Sequence, residues 1–346
     1  MAKAKEEKES AKSSLASMLK KYGDILSTGT NLANKDTIIF PVSPSLDSGL
    51  GGGIPEGSLA SFIGPPGCGK STTVLQILAN VQKSDKYHLF NGKRRKIFYL
   101  DVEHRLKPMN MRGIRGLDPE LINVIKSTKE HILTAQDFLD IAESLIKDPE
   151  NEGLILVIDS SSALCPADEL EAETSGQIRS TQPKIMAHWC RKMAAAFKVM
   201  SATVIIIQHL ITNTSGYGEK WLVDGGEKLK YALDIKVMTK NKTTRWEENG
   251  VLVGQLIEWE IQKSGNSASG NVVTSCLRYG VGLDIIKETF LLCVDFGIID
   301  KSGAWFSFEM NGETLKTQGE EKMCLLLTEN KAAFDYISGK LYEIIT

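Results

Sequence analysis

Short, wholly apolar runs alternate along the chain with stretches whose apolar residues recur every three or four positions. The runs are Leu59–Ile63, Ile97–Leu100, Leu154–Ile158 and Thr203–Ile207. Between them helical spacing is kept by Val74, Ile77, Leu78 and Val81, by Phe138, Ile141, Ala142 and Leu145, and by Met186, Trp189, Cys190, Met193 and Phe197. Strands apolar on both sides and separated by amphipathic helices predict an α/β fold, with a twisted, mostly parallel sheet covered on both faces. Beyond residue 233 strand-like runs follow one another: Asp234–Met238, Val251–Ile261 and Val272–Tyr279. After about residue 284 a small α+β segment is predicted, with strands at Phe296–Ile299 and Trp305–Phe308, then a helix carrying Phe334, Ile337, Leu341 and Ile344. Near the start, Leu15, Met18, Leu19 and Tyr22 predict a short amphipathic helix stopped by Gly23. Its stripe needs a partner, either this chain's core or a neighbouring subunit. Ser43 to Gly57 reads as loops. The expected layout is an N-terminal helix or arm over residues 1–32, a core over 33–283 and a small C-terminal α+β domain over 284–346.

Composition narrows the classes. The 346 residues suit about two domains. Lys+Arg 41 against Asp+Glu 43 leaves a net charge of −2, so any site for a polyanion must be built locally. No apolar run approaches the ~18–20 residues of a membrane span. Residues 1–12 are charged and are expected to fray, and they lack the apolar stretch of a signal peptide. The 6 cysteines show no CxxC spacing, which argues against a zinc ribbon or a disulfide framework and fits a reducing cytosol.

Gly64-Pro65-Pro66-Gly67-Cys68-Gly69-Lys70-Ser71 satisfies the P-loop pattern, directly after a strand and before a helix, with Thr72 next. The glycines let backbone N–H groups turn around phosphate oxygens, and the helix N-terminus adds its positive dipole. Lys70 is expected at the β- and γ-phosphates and Ser71 on Mg²⁺. Leu154–Ile158 ends in Asp159-Ser160, a carboxylate placed for a second Mg²⁺ contact. Glu103 follows Ile97–Leu100, where a carboxylate either takes the proton of an attacking water or is a solvated loop charge. Gln208 closes Thr203–Ile207 and either senses the γ-phosphate or caps the strand. His104 and His209 stand beside these positions and read as bystanders.

Two segments suit flexible contacts with nucleic acid. Glu169 to Pro183 lacks periodicity and carries Arg179; behind it Lys184, His188 and Arg191 share one polar helix face. His209 to Gly226 is too long for a simple turn. It holds Tyr217, Lys220 and Trp221, with Lys228, Lys230 and Lys236 beyond. Cations interleaved with aromatics suit single-strand binding. Glu219, Asp224 and Glu227 support the plainer reading of a solvated surface loop.

In this order the P-loop, Glu103-His104, Asp159-Ser160 and the Gln208-to-Gly225-Gly226 spacing resemble the bacterial RecA recombinase family, over nearly the whole chain. Most specific is Phe296-Gly297-Ile298-Ile299-Asp300-Lys301-Ser302-Gly303-Ala304-Trp305-Phe306-Ser307-Phe308, similar to a signature of that family's small C-terminal domain. The resemblance implies an ATP-dependent recombinase that forms helical filaments on single-stranded DNA, pairs it with homologous duplex and exchanges strands. ATP and Mg²⁺ would sit at the protomer interface, and the N-terminal helix would dock on the next protomer. It makes Glu103 the water-activating carboxylate and couples the γ-phosphate through Gln208 to the second DNA loop. It gives Lys70 a catalytic role, and assigns nucleotide contacts to Gly64 through Thr72, Asp159 and, from the neighbour, Lys263. Tyr231 matches an aromatic that reports nucleotide state across the interface. It matches Lys184, Arg191, Gly225, Gly226 and Lys236 to DNA-proximal positions, and with Arg179, Asn213 and Tyr217 of the two loops these make up the expected DNA set. The implied location is the cytoplasm of a bacterial cell or a phage-infected bacterium.

Several positions depart from that pattern. Gly265 replaces a second trans-acting lysine, Asn110 a base-stacking tyrosine and Lys107 a nearby acidic residue. Arg179 and Asn213 stand where the family has apolar wedges. The sequence ends at Ile345-Thr346 without the family's acidic tail, so weaker autoinhibition of duplex uptake is expected. Divergence at intact length fits a bacteriophage-encoded version. Two other readings remain: a hexameric DNA motor of the helicase type on the same core, and a nucleotide-switched DNA-binding scaffold with little turnover.

Overall fold

The computed structural model describes residues 17–18, 20–23, 29, 37–172, 181–213, 221–223, 229–239 and 243–346. The chain divides into two compact units, Met1–Ile38 and Ile39–Thr346. In the first, residues 17, 18 and 20–22 are helical and Gly23 follows as a turn, where the sequence predicts the helix to stop. Leu15 and Leu19 lie outside the described residues.

The second unit is built on a sheet whose strands are β1 (Leu59–Gly64), β2 (Ile97–Asp101), β3 (Ile122–Ile125), β4 (Ile155–Asp159), β5 (Thr203–Thr212), β6 (Trp221–Val223), β7 (Ile235–Met238), β8 (Thr244–Glu248), β9 (Val251–Lys263), β10 (Asn271–Arg278) and β11 (Gly282–Leu283). Its order is β11-β10-β9-β7-β1-β5-β4-β2-β3, with β6 on β5 and β8 on β9. From β7 through β1, β5, β4 and β2 to β3 every pairing is parallel; beyond β7 and at β6 they are antiparallel. The sheet is therefore mixed, with a parallel centre. The parallel strands are those separated by helices, because a parallel pair needs a crossover, whereas hairpins suffice beyond residue 243.

Helix α1 (Pro44–Leu50) falls where loops were expected. Ser43 caps it, its Oγ accepting from the Leu46 N–H at 3.4 Å, and Pro44 fits its first turn. Helix α2 (Lys70–Gln82) buries Val74, Ile77, Leu78 and Val81, as their spacing predicts. Helices α3 (Ala135–Lys147) and α4 (Gln182–Val199) share a core with Leu156, Ile158, Val204 and Ile206 of the sheet. The Trp189 indole N–H donates to the Leu139 carbonyl at 3.1 Å and ties α4 to α3.

The C-terminal end begins with α5 (Ile285–Asp295) and a three-stranded antiparallel sheet, β12 (Asp300–Ser302), β13 (Trp305–Met310) and β14 (Glu313–Gln318). Helices α6 (Glu320–Glu329) and α7 (Lys331–Ile345) complete it. Phe296–Ile299, expected as a strand, is instead the turn after α5, with Gly297 at φ 69°. Phe290 and Phe306 meet edge to face at 5.0 Å in a separate core with Phe308, Met323, Ile337 and Leu341. No helix among the described residues is long and apolar enough to cross a membrane.

Candidate active site

Four parallel strands end side by side, and their carboxyl ends carry the chemistry, as open α/β sheets favour. Register pairs Gly64 of β1 with His209 of β5, and Asp101 of β2 with Asp159 of β4. The P-loop leaves β1 and turns into α2 through Gly67 at φ 76° and Gly69 at φ 88°. A Cβ on Gly69 would approach the Ile257 and Leu277 side chains to 2.7 Å, so the turn requires glycine. The buried Lys70 ammonium donates to the carbonyls of Gly64 at 2.9 Å and Pro65 at 2.8 Å. Burial lowers its pKa, and burial pushes the neighbouring Cys68 thiol up. Charged phosphate oxygens are stronger partners for this cation than two neutral carbonyls.

Asp159 accepts from the Tyr99 hydroxyl at 2.5 Å, and the Ser71 hydroxyl is a second hydrogen-bond partner. Burial holds its carboxyl above the usual range, so the site favours added positive charge. No group of three or more His, Cys, Asp or Glu among the described residues forms a metal cage. One carboxylate and one hydroxyl are the donor set that Mg²⁺ takes, since it keeps waters and phosphate oxygens as its other ligands. The residues present fit that ion.

Glu103 lies in the turn after β2. That turn is fixed by Asp101, whose carboxylate accepts from the N–H groups of Arg105 at 3.0 Å and Leu106 at 3.2 Å. Glu103 Oε1 meets both the Ser160 hydroxyl and His209 Nε2 at 2.5 Å, and Oε2 meets Arg105 Nη1 at 3.0 Å. The His209 hydrogen bond, aided by Ser160 and Arg105, lowers the Glu103 pKa to about 2. Glu103 is therefore an ionised, oriented carboxylate rather than a loose loop charge.

Lys70, Ser71, Thr72, Glu103, Asp159 and His209 border one cleft of ≈ 410 Å³, with Asn110 and Tyr279 also on its walls. Gln208 is not among the lining residues. It is 1% exposed, accepts from Ser61 Oγ at 2.7 Å, and so faces into the sheet. Side chains alternate along a strand, and β5 therefore turns His209 to the cleft and Gln208 away from it. Gln208, expected at the γ-phosphate, is thus off the cleft lining, whereas His209, which as sequence alone reads as a bystander, borders it. Alternation along the sequence does not separate the two, because Ile205 and Ile207 are as buried as Val204 and Ile206. Tyr279, Arg105 and Tyr99 escape sequence reasoning as well: the first two sit in turns without periodicity, and Tyr99 lies inside an apolar run.

Lys263 lies at the end of β9, outside the cleft, and its ammonium donates to the Leu233 carbonyl. Gly265 is exposed two residues beyond. Asn110 lines the cleft, its Oδ1 accepting from the Lys107 N–H at 2.9 Å. Lys184, His188 and Arg191 are exposed on α4, with Arg191 Nη2 3.3 Å from His188 Nδ1. Tyr231 is 84% exposed, and Asn213 follows β5. Lys236 is 8% exposed in β7, paired with Ser61 and Lys263. Arg179, Tyr217, Lys220, Gly225, Gly226 and Lys228 lie outside the described residues.

Comparison with known proteins agrees with this geometry. The model of the RecA N-terminal domain matches residues 9–284, and that of the RecA C-terminal domain matches residues 288–346. This chain belongs to the RecA family. It is 30% identical to Protein RecA of Nitratidesulfovibrio vulgaris over 347 residues, covering 97% of this chain and 90% of that one. Against Protein RecA of Helicobacter hepaticus it is 29% identical over 326 residues, 93% of this chain and 88% of the other. Against the Staphylococcus aureus Protein RecA the identity is 28% over 323 residues, 93% and 87% of the two chains. As a RecA-family protein it is a DNA recombinase and a DNA-dependent ATPase of the P-loop type. The family uses ATP.

Proposed function

We propose that this recombinase binds ATP with Mg²⁺ in the cleft between the P-loop and Glu103, and uses it to assemble helical filaments on single-stranded DNA. The observation that carries this reading is the convergence of Lys70, Ser71, Asp159 and an ionised Glu103 on one cleft at the ends of four adjacent strands. Gly64 through Thr72 cradle the phosphates, and Lys70 exchanges its loop carbonyls for phosphate oxygens. Ser71 and Asp159 hold Mg²⁺, which when bound neutralises charge on the phosphate oxygens. Glu103 orients a water and takes its proton as the water oxygen attacks the γ-phosphorus; the bond to the bridging β–γ oxygen breaks, giving ADP and phosphate. His209 fixes Glu103 and stands where a γ-phosphate is felt, passing nucleotide state along β5 to the segment after Asn213. Tyr279 offers the aromatic surface for the base that Asn110 does not.

In the assembly residues 1–32 act as the oligomerisation arm, 33–283 as the ATPase and DNA-binding core and 284–346 as the small C-terminal domain. ATP is shared between protomers, and Lys263 of one reaches the nucleotide of the next; without a lysine at Gly265 the trans-acting charge is halved. Arg179, Lys184, Arg191, Asn213, Tyr217, Gly225 and Gly226 line the path of the strand, and homologous duplex is the second DNA partner. Bacterial relatives support a cytoplasmic site of action.

Electron microscopy with single-stranded DNA, Mg²⁺ and a slowly hydrolysed ATP analogue tests the assembly. Helical filaments are expected. Closed rings alone would instead favour the hexameric motor.

A further inference from the structure

We propose that Arg105 is a phosphate-directed cation acting in cis, released from Glu103 to the γ-phosphate when a nucleoside triphosphate binds. This rests on the reading of the cleft as a nucleotide site with Glu103 beside the attacked phosphorus. Among the described side chains that border the cleft, Lys70 and Arg105 are the lysine and arginine, set against the carboxylates of Glu103 and Asp159. The charge of these described side chains is close to balanced, and a triphosphate brings several negative charges more.

Arg105 is built for such an exchange. Its backbone N–H is pinned by the buried Asp101 carboxylate at 3.0 Å, while its side chain is 75% exposed. Its hold on Glu103 is a single 3.0 Å contact through Nη1, from a guanidinium that is 75% exposed to a carboxylate that is 12% exposed. A phosphate offers the guanidinium a bidentate partner of higher charge. Reach follows from the chemistry. A water held by Glu103 is within hydrogen-bond distance of the carboxylate and a near-attack distance of ~3–3.5 Å from phosphorus. A guanidinium already on that carboxylate is therefore within one side-chain swing of the γ-oxygens.

The exchange also frees the base. Ser160 and His209 both occupy Oε1, so Oε2, held by Arg105, is the oxygen left to accept a proton from water. Transfer of Arg105 to the phosphate opens Oε2 at the moment when a substrate with a γ-phosphate is present. A diphosphate would not draw it away.

Isothermal titration calorimetry with Mg²⁺ and either ATPγS or ADP tests this on the full-length protein, comparing wild type with Arg105→Ala, Arg105→Lys and Lys70→Ala. Arg105→Ala is expected to weaken ATPγS by about tenfold or more, the scale of a lost charged hydrogen bond, and ADP by less than about twofold. Arg105→Lys should recover part of the loss. An unchanged ATPγS-to-ADP ratio in Arg105→Ala overturns the proposal. Lys70→Ala separates the two readings: if it binds both nucleotides as wild type does, the assignment of the cleft itself fails, whatever Arg105 does.

Discussion

Glu103 is held from two sides, and each contact has a separate consequence. Its pKa of about 2 lies below the ordinary 4.5, so ionisation of this group stabilises the folded state above about pH 4.5 and that contribution is lost as pH falls towards 2. Glu103→Gln removes the charge, and its stability difference from wild type should shrink across that window in denaturant titrations. The same variant should still bind ATP while turnover falls by about a hundredfold or more, the usual worth of a positioned base. Gly69 is constrained by packing instead of charge. Gly69→Ala would force a Cβ to within 2.7 Å of Ile257 and Leu277 from a positive φ, so nucleotide binding measured by calorimetry should be lost.

Elements differ in how plainly the sequence announces them. The four buried parallel strands and α2 were legible because an uninterrupted short apolar run suits a strand buried on both faces, and a 3.6-residue period suits only a helix. Edge strand β3 was not: Asn123 and Val124 are exposed, and a four-residue strand leaves no alternation to count. Helix α6 buries Met323 and Leu327, too little for a stripe. Helix α1 is held by its cap and by long-range contacts, none of which is periodic. The P-loop and Asp159 were readable from motif and strand end, whereas His209 depended on which way β5 faces. Helix α1 also makes a junction with the C-terminal helices. Asp47 accepts from the Tyr342 hydroxyl at 2.8 Å, and Glu288 of α5 accepts from the N–H groups of Ser45 at 3.1 Å and Cys276 at 2.9 Å. Burial pushes Asp47 up to about 8 and Glu288 up to about 7. A raised folded-state pKa means stability present below the unfolded value and lost as pH rises. Thermal melts should show stability falling from about pH 3.8 to about pH 8, and Glu288→Gln should remove the part of that slope between about pH 4.5 and about pH 7. In the separate C-terminal core, Phe290→Ala should cost about 3–5 kcal/mol in chemical denaturation.

At the scale of the whole molecule a net charge of −2 has to coexist with DNA binding. Under the proposed function, local cations such as Lys184 and Arg191 on the outer face of α4 supply phosphate contacts, and affinity for single-stranded DNA should fall linearly with log salt. Replacing both by alanine should reduce that slope as well as the affinity, read from fluorescence anisotropy at several salt concentrations. Hydrolysis, filament and DNA are joined only if the cleft responds to the strand. The most direct measurement is steady-state ATP hydrolysis at fixed moderate salt without DNA, with single-stranded DNA and with duplex, for wild type and Glu103→Gln. Strong stimulation by the single strand, abolished in Glu103→Gln, is the expected result. Hydrolysis indifferent to DNA, or unchanged in the variant, would contradict the account.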